Sequence, residues 1–434
     1  MLGMMLHIKD VLESAKEGKK VSIRGWVYRH RKLGEDKIFI VVRDGSGIIQ
    51  GVVKNNAVSE RVWRNAENLY IESSLVVRGE LKKDERAPGG YEISISDVEV
   101  VHQGLPFPIQ KDLSEEFLLD VRHLWLRSRK MSAIMKGRHI LVEYLREWLN
   151  DHGFYEVAPP IITKSGAEGG ADMFELDYFG SKAYMTQSSQ LYAEAMMFGL
   201  ERVYVLAPSF RAEKSRTRKH LAEYWHLEPE MAWVEQKENM EIQEQMVSFA
   251  VQKFAKEDED ILEILGRDVK ELKKAKAPFP KLDYEKAVEK VNRLGGKMEY
   301  GQDFGADEEA TLTNGYDVPI FVHNFPKEIK SFYMPEDPKK PGTVLCDDMY
   351  APKGHGEIIG GSERIWKLDE LEARMKEVKL NPKDYEWYAD LRRYGSIPHS
   401  GFGLGIERFV KWVFNLENIR DAIPFPRTIT RVYP

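Results

Sequence analysis

Cysteine is nearly missing from this chain, since Cys346 is the single cysteine in 434 residues. One cysteine excludes an internal disulfide framework and a zinc site built from several cysteines, and it fits a reducing compartment such as the cytoplasm. The sequence also contains no apolar run near the length that a bilayer-spanning helix needs, so we expect no membrane association. The opening segment MLGMMLHIKDVLES has too short an apolar core for a signal peptide, and we expect none here.

An excess of basic charge is missing as well, because the formal net charge is −6 at pH 7. This total does not indicate nucleic-acid binding, but it does not exclude it either, since local patches make the electrostatic footprint. We find no internal repeat and no low-complexity segment. With 42% hydrophobic and 31% charged residues, we expect a protein of two or three domains with substantial cores.

Residues 21–101 contain short runs of alternating β-branched and aromatic residues, separated by glycine, aspartate and asparagine. This pattern predicts a small all-β barrel. A tight turn is expected at Asp44–Gly47, between two strands, and an interposed helix at Ser59–Leu69.

After Val101 the alternating strand pattern of the sequence ends. Pro106 and Pro108 predict an extended linker, and an apolar stripe predicts a long helix over Met131–Asp151. Residues 238–275 are amphipathic and strongly charged, so we expect surface helices there. The predicted boundaries are 1–102 for the barrel domain, 103–130 for the hinge, and 131–434 for the larger domain with a helical insertion at 238–300.

The most informative segment is SFRAEKSRTRKHLAEYWHLEPE, residues 209–230. Phe210–Glu213 and His220–Glu230 alternate with the two-residue period of strands, and the loop KSRTRK between them could hold a polyphosphate. Because alternate residues share a face, one surface of this predicted hairpin presents a guanidinium, an aromatic ring and carboxylates. The residues that share these faces are Arg211 and Glu213 on the first strand, and His220, Tyr224 and Glu228 on the second.

Two further segments accompany the hairpin. GFYEVAPPII (153–162) is a strand that ends at Pro160, and GFGLGIERFVKWVFNLENIRDAIPFPRT (401–428) is a glycine-rich strand leading into a helix that carries Arg408. The glycines allow a backbone to approach a nucleotide closely, although the segment is neither a P-loop nor a dinucleotide fingerprint. Each segment alone is typical of ordinary packing. In this order, the three resemble motifs 1, 2 and 3 of the class II aminoacyl-tRNA synthetases.

The resemblance extends over nearly the whole chain. LDVRHLWLRSR (119–129), MTQSSQLYAEA (185–195) and a barrel ahead of the motifs resemble the aspartyl/asparaginyl group, whereas lysyl members share the architecture but not this combination. The implied fold is α+β: an N-terminal OB-fold β-barrel that binds the anticodon, then a class II catalytic domain whose antiparallel sheet of six or seven strands is flanked by helices. Motif 1 builds the dimer interface of this family, so a homodimer is expected.

The amino acid that this resemblance implies is L-asparagine. In aspartyl members, the segment equivalent to QSSQLY continues with a lysine that pairs with the substrate carboxylate, whereas Ala193 follows it here. Glu228 stands where the aspartyl pattern has aspartate, and GEIIGGSERI supplies Arg364. Such a pocket satisfies a neutral carboxamide, because Arg364 can donate to its carbonyl and Glu228 can accept from its NH2. The other amino-acid-binding residues implied by the family are Glu168, Gln187 and Gln190.

Three alternatives remain open at this stage. The nearest is a non-discriminating aspartyl enzyme, against which Ala193 argues. The second is a relative that makes asparagine through the same adenylate, although such relatives lack the anticodon barrel. The third is a non-catalytic RNA-binding protein on the same scaffold, which the presence of Arg211, Glu357 and Arg408 disfavours.

The family roles transfer by position to ATP and Mg²⁺. Arg211 would hold the α-phosphate, Tyr224 and Arg408 would cover the two faces of adenine, and Glu357 with Asp348 would bind Mg²⁺, whose hard character suits carboxylates. Where the family often has a serine in this metal shell, Gly360 stands here. The catalytic residues implied are Arg211, Arg408 and Glu357, and the remaining ATP contacts are Glu213, Arg218 and His220.

The barrel supplies the contacts to tRNA(Asn) that the resemblance implies. Phe39 and Gln50 match the positions that stack on and hydrogen-bond the central anticodon uridine, and Glu92 matches the third contact. An aromatic ring paired with polar groups suits an unstacked base of single-stranded RNA. Arg24, together with other basic residues of the first strand, would follow the RNA backbone.

Overall fold

The computed structural model describes residues 7–110, 113–164, 166, 173–213 and 220–434. The chain divides into two compact units, Met1–Leu118 and Leu119–Pro434. Two of the predicted site residues, Glu168 and Arg218, lie outside the described residues, as does the whole basic loop 214–219.

The first unit is built on a closed five-stranded barrel with the strand order β1-β2-β3-β5-β4. Its core forms because alternate residues point inward: Ile38, Ile40 and Val42 of the second strand are fully buried, whereas the residues between them are half-buried. The predicted turn and the predicted helix are both present. The elements are α1 (Ile8–Glu13), β1 (Lys20–Leu33), β2 (Lys37–Arg43), β3 (Ile48–Lys54), α2 (Glu60–Glu67), β4 (Ser74–Lys83) and β5 (Tyr91–His102).

Helices come first in the second unit, and the helix predicted from Met131 begins two residues earlier. Ser128 caps it, because its hydroxyl accepts a hydrogen bond from the Met131 amide at 3.3 Å. The linker predicted over 103–130 contains two short helices. The elements from the boundary between the two units as far as the hairpin are α3 (Glu115–Asp120), which spans that boundary, α4 (Arg122–Trp125), α5 (Arg129–Asp151), β6 (Tyr155–Glu156), β7 (Ile162–Thr163), β8 (Glu175–Tyr178), β9 (Ser181–Met185), α6 (Gln190–Leu200), β10 (Arg202–Phe210) and β11 (Glu223–Ala232).

The rest of the second unit alternates helices with the strands that complete its sheet. The predicted glycine-rich strand followed by a helix is present as the last strand and helix of the chain. The elements are α7 (Gln236–Glu257), α8 (Glu259–Leu265), α9 (Val269–Leu272), β12 (Lys281–Asp283), α10 (Tyr284–Arg293), α11 (Ala306–Thr313), β13 (Ile320–His323), β14 (Cys346–Ala351), β15 (Gly356–Glu363), α12 (Leu368–Glu377), α13 (Glu386–Arg393), β16 (His399–Gly405) and α14 (Ile406–Val413).

The main sheet of this unit has eight strands in the order β12-β13-β14-β15-β16-β11-β10-β6, one or two more than predicted. The pairs from β13 to β10 are antiparallel, and the two edge strands, β12 and β6, join in parallel. These edge strands have three and two residues, which is too short for an alternating pattern in the sequence. A second sheet has the order β7-β9-β8.

The expectation of surface helices over 238–275 is wrong for α7. One face of α7 is fully buried in the main core, through Met246, Val247, Ala250, Val251 and Phe254. The helix packs against α5 and beneath β15 and β16. Its charged residues occupy the other face, and their number concealed an apolar stripe of ordinary width. Among the described residues, no helix combines the length and apolarity that crossing a bilayer requires.

Candidate active site

The hairpin predicted from the sequence is present with different strand limits. β10 ends at Phe210 and β11 starts at Glu223, so the predicted strands over Phe210–Glu213 and from His220 are wrong in their bounds. Pairing continues only to the Arg211 amide, which donates to the Ala222 carbonyl at 2.9 Å. The Ala222 amide bonds instead to the Arg427 carbonyl at 2.8 Å, so the C-terminal segment replaces the other strand there.

One face of β11 carries four functional side chains at alternate positions. Tyr224, His226, Glu228 and Glu230 all line cavities on the same side of the sheet. The prediction included Tyr224 and Glu228 but missed the other two, although the same two-residue period identifies them.

The larger of two adjoining cavities has a volume of about 300 Å³ and gathers the predicted nucleotide residues that the structure describes. Its walls come from the hairpin, from β15 and β16, and from α14. The predicted residues in its lining are Arg211, Glu213, His220, Tyr224, Glu357 and Arg408.

Charge in this cavity is arranged around Glu357. Arg408 donates from Nη1 to the Glu357 carboxylate and to its main-chain carbonyl, both at 3.2 Å. Burial acts to raise the pKa of Glu357, but Arg408, Lys330 and Arg211 outweigh it and hold this pKa below its usual value. Burial and the nearby guanidinium of Arg408 lower the pKa of His220, which favours the neutral imidazole.

Glu407, a residue that the sequence reading missed, connects the second and third motif segments with helix α5. Its carboxylate accepts from Arg138 of α5 at 2.9 Å and from the main-chain amide of Trp225 in β11 at 2.8 Å. The residue itself lies in α14 beside Arg408 and is buried. One side chain therefore sets the position of α14 relative to the strand that carries Tyr224.

The second cavity, of about 220 Å³, adjoins the first. Of the predicted amino-acid-binding residues, Gln190, Glu228 and Arg364 line it. Gln187 is buried but is not in its lining, and its Oε1 lies against Gly166. The residues that line both cavities are Arg211, His226, Glu357 and Gly403.

Glu228 is held rigidly in this second cavity. The Ser188 hydroxyl donates to its Oε1, the Ser189 amide donates to its Oε2 at 2.9 Å, and His226 Nδ1 lies 3.4 Å from Oε1. The carboxylate is therefore fixed by the two serines that directly precede α6 and by His226 of its own strand.

Arg364 is both a cavity residue and a member of a buried ion pair. It donates to Glu230 from Nη2 at 2.5 Å and from Nε at 3.2 Å, and to Ser362 Oγ from Nη1 at 2.6 Å. Its guanidinium also lies 5.2 Å from the centre of the Tyr333 ring. Ala193, at the position of the aspartyl lysine, is fully buried among Met197, Val203 and Val205.

The carboxylates predicted to hold a metal ion converge near Gly360. A Cβ atom at that glycine would lie 3.6 Å from both Asp348 Oδ1 and Glu357 Oε1. Lys330 donates to Asp348 Oδ2 at 2.6 Å, and the sequence reading did not identify this lysine. Burial and the nearby Glu357 raise the pKa of Asp348 to about 7. No cluster of three acidic, histidine or cysteine ligands occurs within the described part of the chain.

Glycines of β16 make room for these side chains. A Cβ atom at Gly403 would collide with the His226 imidazole, and one at Gly401 would collide with the Glu230 carboxylate. The glycine-rich pattern of this strand is thus required by β11, its neighbour in the sheet.

The predicted anticodon residues lie on the outer face of the barrel. Gln50 of β3 pairs with Glu92 of β5 in the strand register, and its Nε2 donates to Glu92 Oε2 at 3.0 Å. Phe39 lies on the adjacent strand, opposite Val52. Arg24 lies in the first half of β1, where it pairs with Val76 of β4. Phe39 pairs instead with Arg31, in the second half of β1. The first three residues form one patch, and Arg24 stands apart from it.

Comparison with known proteins agrees with this architecture. The family described as tRNA synthetases class II (D, K and N) matches residues 114–429, and the OB-fold nucleic acid binding domain matches residues 21–101. The chain belongs to the class II tRNA synthetases of the D, K and N group.

Individual relatives indicate which member group of this family the chain resembles most. An asparagine–tRNA ligase of Thermoplasma acidophilum is 50% identical, with 99% of this chain and 100% of the relative aligned. The structure of asparaginyl-tRNA synthetase from Pyrococcus horikoshii complexed with asparaginyl-adenylate has a TM-score of 0.96 and 49% identity, and covers 100% of both chains. That of the Entamoeba histolytica enzyme has a TM-score of 0.89 and 33% identity over 97% of this chain and 98% of the other. This protein is a member of the asparagine–tRNA ligase family, and this assignment is favoured over the aspartyl alternative.

Proposed function

We propose that the protein activates L-asparagine with ATP to asparaginyl-adenylate and transfers the asparaginyl group to the 3′ end of tRNA(Asn). The observation that carries this proposal is the junction of the two cavities, which both Arg211 and Glu357 line. An amino acid in the smaller cavity and a nucleotide in the larger one would meet at that junction. The reaction then depends on proximity, because the reacting groups are held together in one geometry.

Asparagine is selected by Glu228 and Arg364, each of which is held in place by other groups of the protein. Glu228 accepts from the carboxamide NH2, and Arg364 donates to the carboxamide oxygen. An aspartate side chain would instead face Glu228 with like charge in a closed pocket, which disfavours it strongly. Gln190 contacts the substrate from α6, and the family places Gln187 and Glu168 at its α-amino group.

ATP occupies the larger cavity, with Tyr224 and Arg408 against the two faces of adenine. Glu213 accepts from the adenine amino group, and Arg211 at the junction holds the α-phosphate. His220 contacts the outer phosphates, and the family resemblance implies the same role for Arg218, which lies outside the described residues.

The chemical step requires no nucleophile from the protein. The substrate carboxylate attacks the α-phosphorus in line and diphosphate leaves; the terminal ribose hydroxyl of tRNA then attacks the mixed anhydride and releases AMP. The guanidinium of Arg211 stabilises the charge that develops on the α-phosphate oxygens. We assign Arg211, Arg408 and Glu357 as the catalytic residues, because each would contact ATP or its metal ion.

Asp348 and Glu357 would hold Mg²⁺, since their carboxylate oxygens converge near Gly360 and the ion prefers oxygen ligands. When bound, the ion neutralises phosphate charge. Lys330 already neutralises part of the charge of Asp348, at 2.6 Å.

The barrel binds the anticodon of tRNA(Asn) through Phe39, Gln50 and Glu92. The bond between Gln50 and Glu92 orients the amide for a base that stacks on the ring of Phe39. Arg24 lies away from this patch and would contact only the RNA backbone.

We further propose a cytoplasmic homodimer. Apolar side chains that follow α5 are exposed, with Tyr155 59% and Ile162 45% accessible, and a second copy of the chain would cover them. Sedimentation equilibrium measures this directly, and a monomer at micromolar concentration contradicts it.

The decisive experiment is ATP–diphosphate exchange with asparagine and aspartate side by side. We expect exchange that requires asparagine and a divalent cation, and that is abolished by EDTA and restored by Mg²⁺. Exchange supported by aspartate as well as by asparagine would instead identify a non-discriminating aspartyl enzyme.

A further inference from the structure

A buried carboxylate lies behind the proposed asparagine pocket, outside the lining of both cavities. Glu194 of α6 is fully buried and accepts hydrogen bonds from several surrounding groups. The donors are Gln190 Nε2 at 3.0 Å, Tyr388 Oη at 2.8 Å, Arg392 Nη2 at 2.7 Å and His399 Nε2 at 3.1 Å. These donors come from α6 itself and from α13 and β16, which lie 194 to 205 residues further along the chain.

The charge state of this group follows from its partners. Burial acts to raise the pKa of the Glu194 carboxyl, but Arg392 and His399 outweigh it and hold that pKa below its usual range. The carboxylate is therefore ionised, and its bond to Gln190 is charge-assisted.

One of these contacts leads directly into the pocket. Gln190 lies one helical turn before Glu194, and its side chain lines the cavity beside Glu228. Because Nε2 of Gln190 is committed to Glu194, the orientation of its amide is fixed before a substrate arrives.

The other contacts lead to the backbone around Arg364. Arg392 Nε donates to the carbonyl of Ile365 at 2.8 Å, and the Arg364 amide donates to the carbonyl of His399 at 2.9 Å. Arg392 and His399, which both bond to Glu194, therefore also hold the chain at Arg364 and at the residue that follows it.

We propose that Glu194 is a positioning residue for asparagine, which sets Gln190 and Arg364 at the separation that the substrate requires. The residue touches no substrate itself and acts through these two side chains. This inference rests on the proposed asparagine pocket, and it adds a determinant outside that pocket.

The test is the variant Glu194→Gln, measured in ATP–diphosphate exchange. We expect the KM for asparagine to rise by about tenfold to a hundredfold, the effect of losing a charge-assisted hydrogen bond, while the KM for ATP stays within about twofold. The matched control is Glu244→Gln. Glu244 is also a buried glutamate of this unit, and it bonds to the Phe279 amide at 2.7 Å and to Lys281 at 2.9 Å, outside both cavities. This control should lower thermal stability without changing either KM.

A double-mutant cycle distinguishes positioning from a merely structural role. In a Gln190→Met background, Glu194→Gln should lose a large part of its effect on the KM for asparagine, because part of that effect passes through Gln190. Equal rises of both KM values, or an unchanged KM for asparagine, would overturn the proposal.

Two further variants keep the test decisive. If Glu194→Gln does not fold, Glu194→Asp keeps the charge against Arg392 but shortens the reach to Gln190, and a smaller rise in the same KM is expected. An unaltered KM in that variant also contradicts the proposal. Glu228→Gln tests the pocket by itself: if asparagine activation survives that change, the pocket is wrongly assigned, whatever Glu194 does.

Discussion

The guanidinium of Arg364 and the carboxylate of Glu230 form a two-point ion pair, with N–O distances of 2.5 and 3.2 Å. Both side chains are buried, and both line the smaller cavity. Arg364 thus reaches the proposed substrate with its position already fixed. A planar guanidinium can donate to Glu230 and Ser362 and still present donors to a ligand, which an ammonium group cannot do in the same geometry.

We therefore predict that Arg364→Lys damages asparagine activation although it conserves charge. The lysine loses the two-point contact with Glu230, so kcat/KM for asparagine should fall by about a hundredfold, while the KM for ATP changes little. Diphosphate exchange under varied asparagine and varied ATP measures both. Arg393→Lys is the matched control, since Arg393 pairs with Asp390 at 2.6 Å on the surface. Equal activity of the two variants would contradict a role for Arg364 in the pocket.

The glycine-rich strand gives a second prediction. Gly403→Ala should strongly lower activity, because its methyl group would collide with the imidazole of His226 at the junction of the two cavities. Gly199→Ala is the control, as nothing lies within 4 Å of a Cβ atom at that helical position. We expect Gly403→Ala to lower kcat/KM by at least about a hundredfold and Gly199→Ala to leave it unchanged. A fully active Gly403→Ala enzyme would show that His226 can move freely.

How much of this site the sequence predicts depends on distance along the chain. Tyr224 and Glu228 follow from the two-residue period of one strand, and His226 and Glu230 were available from that same period. The partners of Glu194 could not be found this way, because Arg392 and His399 lie 198 and 205 residues away from it. Only the sheet brings them together, and no local pattern marks such a contact.

The fold shows the same division. The barrel strands, helix α2 and the glycine-rich strand carry strong local periodicity, and the sequence predicts them. The edge strands of two and three residues carry none, and the charge of α7 hid its buried face. Gln187 is predicted at the substrate by family position alone, and its role stays a prediction; its Oε1 lies close to Gly166.

The bridge through Glu407 predicts an effect on ATP binding alone. Arg138→Met removes the donor from α5. The buried Glu407 carboxylate then keeps its hydrogen bond from the Trp225 amide but loses the charged partner on α5. Because α14 carries Arg408, we expect the KM for ATP to rise by about fivefold to tenfold while the KM for asparagine is kept. The control is Arg146→Met on the same helix, which removes a half-exposed pair with Glu156 at 3.0 Å. A rise in the KM for asparagine alone would contradict a role of the Glu407 contacts in ATP binding.

The barrel patch predicts a separation of the two reaction steps. Phe39→Ala should leave diphosphate exchange unchanged, because the activation step occurs in the other unit and involves no tRNA. Charging of tRNA(Asn) should lose about tenfold or more in kcat/KM, the contribution of one base stacked on an aromatic ring. Lys9→Ala on α1, an exposed position, serves as the control. Unaffected charging by Phe39→Ala would remove this residue from the anticodon site.

A last prediction concerns stability and pH, through Asp347. This carboxyl is fully buried, and burial raises its pKa to about 7, against the hydrogen bond at 2.6 Å that it accepts from Gln243. The folded protein therefore binds a proton more tightly here than the unfolded chain, so stability is highest below the ordinary aspartate pKa and falls as the pH rises towards 7. Asp347→Asn keeps an acceptor for Gln243 without the ionisation. Its stability relative to the parent protein should thus improve on going from about pH 5 to about pH 8, by on the order of 2 kcal/mol. Urea unfolding at both pH values measures this difference, and a difference that is constant with pH would show that Asp347 does not titrate with a raised pKa.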